Sequence, residues 1–62
     1  MIHGITIRNR ASKELVEFIK CPVGRQALMV LSGVRRNLGS DYDAQEDFIT
    51  TEEFSELEAR SK

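Results

Sequence analysis

Apolar and polar residues alternate at the start of the chain, where Ile5 and Ile7 flank Thr6 and Arg8 follows. A period of two with β-branched residues is typical of a strand with one apolar face, so residues 2–9 predict a strand of about five residues. No second strand is evident in the sequence. Because a lone strand leaves its backbone donors and acceptors unpaired, it must pair outside the chain, and the simplest partner is its own copy.

Two helical patterns follow this strand. Ser12 is a candidate N-cap for a first helix of about nine residues, which Pro22 ends because a proline disfavours helical geometry in the residue before it. A second helix begins at Pro22 or just after Gly24 and ends at Gly39. Its apolar positions recur at helical spacing and are Ala27, Leu28, Val30, Leu31, Val34 and Leu38. The pattern predicts a mainly α fold with one short N-terminal strand.

Residues 40–47 are polar and acidic and predict a linker. Thr50 and Glu53 then stand at the spacing of a capping box, with apolar residues at the two staple positions, and open a short helix over about residues 51–60. Isolated helices shorter than about 12–15 residues are marginal in water, so this helix needs a surface, either its own domain or a partner. Its candidate partner-binding anchors are Phe48, Ile49, Phe54 and Leu57.

The net charge of −1 conceals a division along the chain. Residues 1–38 contain seven Lys or Arg and two Glu, a balance of +5, whereas residues 39–62 contain eight Asp or Glu and two cations, a balance of −6. Such asymmetry between the halves suggests two different kinds of partner. The alternative is a pair of charged faces that attract each other within one fold.

The length of 62 residues allows one domain at most, and a domain this small buries only ~60% of its unfolded surface. Below about 70–80 residues, a disulfide, a metal or a second subunit usually adds stability. Cys21 is the only cysteine and His3 the only histidine, so neither an internal disulfide nor a common metal site is expected. We expect no cofactor, and a partner chain is the expected support.

The sequence also limits the compartment and the class of function. The longest apolar run, residues 27–31, is far shorter than the ~20 residues of a membrane span, and no segment resembles a signal peptide. A single unpaired cysteine suits a reducing compartment, so we expect a cytoplasmic protein without membrane contact. Catalysis is not expected, because so small a domain has little room for a pocket of titratable groups. No small-molecule substrate is predicted, since no glycine-rich phosphate loop is present.

The order strand, helix, turn, helix, with a strand that needs a second copy, resembles the ribbon-helix-helix family of dimeric DNA-binding proteins. The resemblance covers residues 4–38 and is closest over residues 4–9, whose sequence GITIRN looks like the strand opening of some antitoxins in that family. Gly24 falls where the family has a glycine-containing turn. The chain departs from the family in its short first helix, its Cys21-Pro22 turn and the lack of Ser or Thr at the cap of its second helix.

The resemblance implies an intertwined homodimer whose two strands form an antiparallel ribbon in the major groove of double-stranded DNA. Thr6 and Arg8 would then face base edges, where a guanidinium suits guanine, and Arg10 would reach a phosphate. The N-terminus of the second helix would hold another phosphate. The implied DNA-binding residues are Thr6, Arg8, Arg10, Gly24, Arg25 and Gln26.

The same resemblance gives the acidic half a role. Many antitoxins join a basic dimerisation and DNA-binding domain, here residues 1–39, to an acidic tail that folds onto a toxin, here residues 40–62. The implied function is an antitoxin that represses its own operon and neutralises a basic toxin. Two alternatives stay open. One is a small acidic inhibitor or adaptor, for example phage-encoded, that binds a nucleic-acid enzyme without binding DNA. The other is a compact three-helix domain with internal salt bridges.

Overall fold

The computed structural model describes residues 1–60 as a three-stranded antiparallel sheet with one helix against each face. The elements in chain order are β1 (Ile2–Asn9), β2 (Leu15–Lys20), α1 (Arg25–Asn37), β3 (Tyr42–Ile49) and α2 (Thr51–Arg60). The strand order is β2-β1-β3, so β1 is the central strand while β2 and β3 form the two edges. Neither helix has the length and apolar character needed to cross a membrane.

The central position of β1 corrects the predicted fold. Ile5 lies opposite Ile19 of β2 on one side and Glu46 of β3 on the other, so both edges of β1 are paired within the chain. Strands make up 37% of the described residues, and the prediction of a mainly α fold is therefore wrong. The ribbon-helix-helix-like intertwined dimer is wrong for the same reason, because it required a strand with no partner in its own chain.

Residues 15–20, predicted as part of a first helix, form β2 instead. Their apolar side chains lie three and four residues apart, and a segment this short does not distinguish the helical period from the strand period. The preceding turn reverses the chain: Asn9 Oδ1 accepts hydrogen bonds from the two N–H groups of residues 11–12, and Lys13 adopts a positive φ of 66°. Ser12 accepts a hydrogen bond from the N–H of Glu14 within this turn and caps no helix.

Residues 40–47, predicted as a linker, supply most of β3. Acidic residues are poor strand formers, so the local pattern favoured no strand here. Tertiary contacts override that preference: Ala44 is buried opposite Ile7, and Arg35 of α1 donates from Nε and Nη2 to the Ala44 carbonyl oxygen at 3.2 and 3.0 Å. The helix and the strand are thus joined directly.

The second predicted helix is confirmed as α1, and its apolar stripe packs on what we call the first face of the sheet. The buried residues of this cluster are Ile5, Ile7, Cys21, Ala27, Leu31 and Ala44, with Ile19, Val30, Val34 and Leu38 packed around them. Gly24 precedes the helix with a φ of 124°, a conformation that only glycine adopts readily. Leu38 is the extended C-cap, and Gly39 follows the helix.

The last predicted helix is confirmed as α2, which packs on the opposite, second face. Its apolar side chains Phe54 and Leu57 lie against a cluster of Leu15, Phe18 and Ile49. The predicted capping box is present, because the Thr50 N–H donates to Glu53 Oε1 and the Glu53 N–H donates to Thr50 Oγ1, both at 3.0 Å. The surface that this short helix needs is therefore provided by its own chain.

Candidate interaction surface

The residues predicted to read DNA bases do not form an exposed ribbon. Thr6 is fully buried, and its Oγ1 donates to the Gln45 carbonyl oxygen at 3.3 Å. Arg8 is half-buried and donates from Nη1 to the Lys13 carbonyl oxygen. Thr6 is thus withdrawn from any base edge, because β1 is the central strand of the sheet rather than half of a two-stranded ribbon.

The residues predicted to hold phosphate lie at opposite ends of the sheet. Arg10 follows β1 at the hairpin end, where its Nε donates to the Tyr42 carbonyl oxygen at 3.0 Å. Gly24, Arg25 and Gln26 are exposed at the start of α1, which follows the other end of β2. The structure therefore places Arg8 and Arg10 together and separates them from the helix N-terminus.

Three of the four predicted partner anchors are occupied by the chain's own core. Ile49 is 1% exposed, and Phe54 and Leu57 are half-buried beside it. Phe48 differs: its side chain is 50% exposed, and its ring meets the His3 ring edge-on at a centroid distance of 5.0 Å. The acidic half thus has an ordered place on the sheet, and its carboxylates rather than its apolar side chains face outward.

His3, which the sequence did not single out as functional, connects β1 on the first face to β3 and to Cys21, the residue that follows β2. Its Nδ1 lies 2.8 Å from the Cys21 carbonyl oxygen and its Nε2 lies 2.7 Å from Glu46 Oε2. Both partners accept hydrogen bonds, so only the doubly protonated ring satisfies both. The bond to the Cys21 carbonyl is the main cause that raises the pKa of His3 above its ordinary value; burial opposes the increase and Glu46 adds to it.

Glu46 pairs with His3 of the basic half, but other outward carboxylates of the acidic half do not pair with it. Asp43, Glu52 and Glu56 are exposed, and none of their three carboxylates makes a hydrogen bond or ion pair within residues 1–60. Packing of Phe54 and Leu57 fixes the orientation of α2. Glu52 and Glu56 therefore form a preformed acidic surface on α2, and no ion pair within residues 1–60 neutralises these two carboxylates.

The edge of β3 is partly closed to further pairing. The Arg10 N–H donates to the Asp41 carbonyl oxygen, so the backbone of Asp41 faces β1. Because alternate residues of an antiparallel strand point their backbone groups in opposite directions, those of Tyr42, Ala44, Glu46 and Phe48 point away from β1. Four of these outward groups have partners within residues 1–60: the N–H of Tyr42 with the Gly39 carbonyl, the carbonyls of Tyr42 and Ala44 with Arg10 and Arg35, and the N–H of Phe48 with Asp47 Oδ1. Such protection is a usual way to prevent edge-to-edge association.

The edge of β2 is more open and has an apolar groove on each side. The groove on the second face has a volume of about 320 Å³ and is lined by Leu15, Val16, Glu17, Phe18, Phe54, Leu57, Glu58 and Arg60. The groove on the first face, between β2 and α1, has a volume of about 520 Å³ and is lined by Ile7, Glu17, Ile19, Met29, Val30, Gly33, Val34, Asn37 and Leu38. Glu17 belongs to both grooves.

Sequence reasoning missed this edge because it assigned β2 to a helix. The signal that could have found it is the run Val16, Glu17, Phe18, Ile19, which is rich in residues that favour strands. Because β2 is an edge strand beside β1, Glu17 places a carboxylate at the edge of the sheet.

Comparisons with protein-family models, with curated proteins and with solved structures found no match to this chain. The class of the protein therefore follows from its own structure, which is a small α+β fold of one three-stranded antiparallel sheet and two helices. Within residues 1–60, no three His, Cys, Asp or Glu side chains are grouped as a metal site would require.

Proposed function

We propose that this protein acts by binding rather than by catalysis, and that its acidic C-terminal half engages a basic protein partner. The observation that carries the proposal is the preformed acidic surface of α2. Phe54 and Leu57 hold the helix on the sheet, and the carboxylates of Glu52 and Glu56 project outward with no partner within residues 1–60. An adaptor or inhibitor that blocks a basic surface, such as the nucleic-acid site of an enzyme, needs such a surface.

Electrostatics favours this use of the acidic half. A group of exposed negative charges raises the encounter rate with a cationic partner and lowers the rate with an anionic one. Their influence extends over about 8–10 Å at physiological ionic strength. Because α2 is already packed on the sheet, binding would not incur the ordering entropy that a disordered tail loses on folding.

The antitoxin function is our second candidate, and one observation favours its DNA-binding part. Three cations, Arg8, Arg10 and Lys13, line one depression at the hairpin end of the sheet with Asn9, Asp43 and Gln45. Grouped cations are the usual contacts to the DNA backbone. In this proposal the hairpin end binds operator DNA and the acidic half binds the toxin. Cys21, a free buried cysteine, accords with the cytoplasmic location that both candidates imply.

Selection of ligands from a random dodecapeptide display library, with the intact chain as bait, tests the first candidate. We expect the selected peptides to be rich in Lys and Arg and to bind less tightly as salt increases. Glu52→Gln and Glu56→Gln should each weaken binding about twofold to fivefold, as exposed charge pairs contribute ~0.2–1 kcal/mol. Glu14→Gln, which removes one charge from the hairpin turn, is the matched control and should leave the affinity unchanged.

A gel-shift assay with duplex DNA at low salt separates the two candidates. Binding that weakens steeply with salt and is reduced by Arg8→Ala or Arg10→Ala would favour the antitoxin. Enrichment of acidic or uncharged peptides, or equal affinities for the Glu56→Gln and Glu14→Gln variants, would reject the acidic half as the binding surface.

A further inference from the structure

We propose that the open edge of β2 is a docking site for an extended, basic segment of the partner protein, which adds to the sheet as a fourth strand. This inference rests on the proposed function in one respect, that the partner is basic. It goes further in naming the site, the conformation of the bound segment and the contacts that hold it.

The backbone of β2 offers the hydrogen bonds that such a strand requires. The Cys21 N–H donates to the His3 carbonyl oxygen at 3.3 Å, which fixes the phase of the β1–β2 ladder. Because alternate residues of an antiparallel strand point their backbone groups in opposite directions, those of Phe18 and Lys20 point away from β1. The bulge near Val16 and the hydrogen bond from Arg60 to the Leu15 carbonyl oxygen end the open stretch.

The two grooves beside β2 suit the side chains of an added strand. Successive side chains of a strand point to opposite faces of a sheet, so an added segment would direct alternate side chains into the first-face and second-face grooves. The first-face groove exists because α1 packs over β3 and β1 and leaves β2 uncovered on that side. Met29, 70% exposed at the rim, has a flexible side chain that can close over an apolar ligand.

The charge at this edge points to a basic segment. Glu17 lines both grooves, and its carboxylate makes no hydrogen bond or ion pair within residues 1–60. It is the one charged side chain in the lining of the first-face groove. Next to it lies α2, which carries four glutamates and one arginine. A Lys or Arg of the added strand would therefore find a carboxylate in the groove and an acidic helix beside it.

A second copy of the chain fits this edge less well. If Phe18 of one copy paired with Phe18 of the other, the two Glu17 carboxylates would be diagonal neighbours on one face, roughly 7–8 Å apart, and would repel each other. A register shifted toward the C-terminus would place Pro22, which has no N–H, in the ladder. A basic segment from another protein meets neither obstacle.

Amide hydrogen exchange with a selected dodecapeptide tests the mode of docking. We expect the amides of Phe18 and Lys20 to exchange rapidly in the free protein and slowly in the complex, with the peptide amides protected at every second residue. Glu17→Gln should weaken binding about threefold and reduce its salt dependence, whereas Glu14→Gln should not.

A pair of substitutions at Lys20 isolates the backbone contact. Lys20→Pro removes an outward N–H at a position where an edge strand tolerates proline, and it should weaken binding about fivefold. Lys20→Thr removes the same charge but keeps the N–H, and it should bind at least as tightly as the wild type. If Lys20→Pro does not fold, the exchange pattern and the Glu17→Gln variant decide the question.

Five results would overturn the proposal, and they distinguish it from the proposed function. Failure to select any binding peptide, or Glu17→Gln binding as tightly as Glu14→Gln, rejects the docking site. Basic peptides that protect α2 or β3 but leave Phe18 and Lys20 unchanged reject it while the proposed function stands. Uncharged peptides that protect Phe18 and Lys20 reject the basic partner. A concentration-dependent dimer that protects these two amides without peptide would show a second copy at the edge.

Discussion

At the scale of single residues, the protonation of His3 affects the stability of the fold most directly, because its ring connects β1 to Cys21 and to Glu46 of β3. The pKa of His3 is raised in the folded protein, so the contribution of its ring to stability is complete below its ordinary value of about 6.5 and is lost as pH rises through the folded value. We expect the urea midpoint of the wild type to fall as pH increases above about 6.5. The His3→Gln variant should show a flatter profile, and parallel profiles would contradict the role of His3.

Gly4 is the second residue with a specific structural requirement. A Cβ at this position would overlap the Ile19 carbonyl oxygen and lie 2.5 Å from Cζ of Phe18, so Gly4→Ala should destabilise the fold by about 1–3 kcal/mol through overpacking. Gly33→Ala is the matched control, because a Cβ added at Gly33 would have no atom of another element within 4 Å and alanine favours a helix. Urea unfolding measures both, and a Gly4→Ala variant as stable as the wild type would show that β1 and β2 pack differently.

At the scale of the elements, the reciprocal bonds between Thr50 and Glu53 define the start of α2. Thr50→Ala should cost about 1 kcal/mol of unfolding free energy, since it leaves a helix N–H without its acceptor. Thr51→Ala, one residue later in the first turn, is the control and should change stability little. Equal stability of the two variants would mean that the cap does not hold α2.

The elements also show how much of the fold and of the site the sequence could predict. Both helices follow from local signals, the apolar stripe of α1 and the capping box at Thr50 and Glu53. The edge strands do not, because the apolar spacing of β2 suits a helix equally and the acids of β3 disfavour any strand. Both become strands through pairing with β1, a tertiary effect that a local pattern does not contain.

The candidate site was likewise predicted only in part. The sequence showed that basic and acidic residues are concentrated in different halves of the chain, and the exposed Glu52 and Glu56 lie in the predicted acidic half. The predicted anchors Phe54 and Leu57 were expected to face a partner, but an apolar helix face packs on its own sheet when one is available. Glu17 and the edge of β2 were missed, since their role depends on which strand lies at the edge.

At the scale of the whole molecule, the two helices give the sheet two charged sides. The helix α1 carries three arginines and no acid, whereas α2 carries four glutamates and one arginine. The two helices therefore carry opposite net charges, which orients a charged partner during approach. The open edge of β2 lies beside α2 and adjoins both faces, and its backbone and two grooves add contacts of shorter range.

The most direct test of the central claim, that α2 and the open edge of β2 bind a basic protein segment, is a backbone amide chemical-shift map of the intact chain titrated with a selected basic peptide. Our account predicts that the shifts concentrate on β2 and α2, include Phe18, Lys20 and Glu56, and diminish as salt increases. Shifts confined to α1, or to the hairpin end around Arg8 and Arg10, would contradict it.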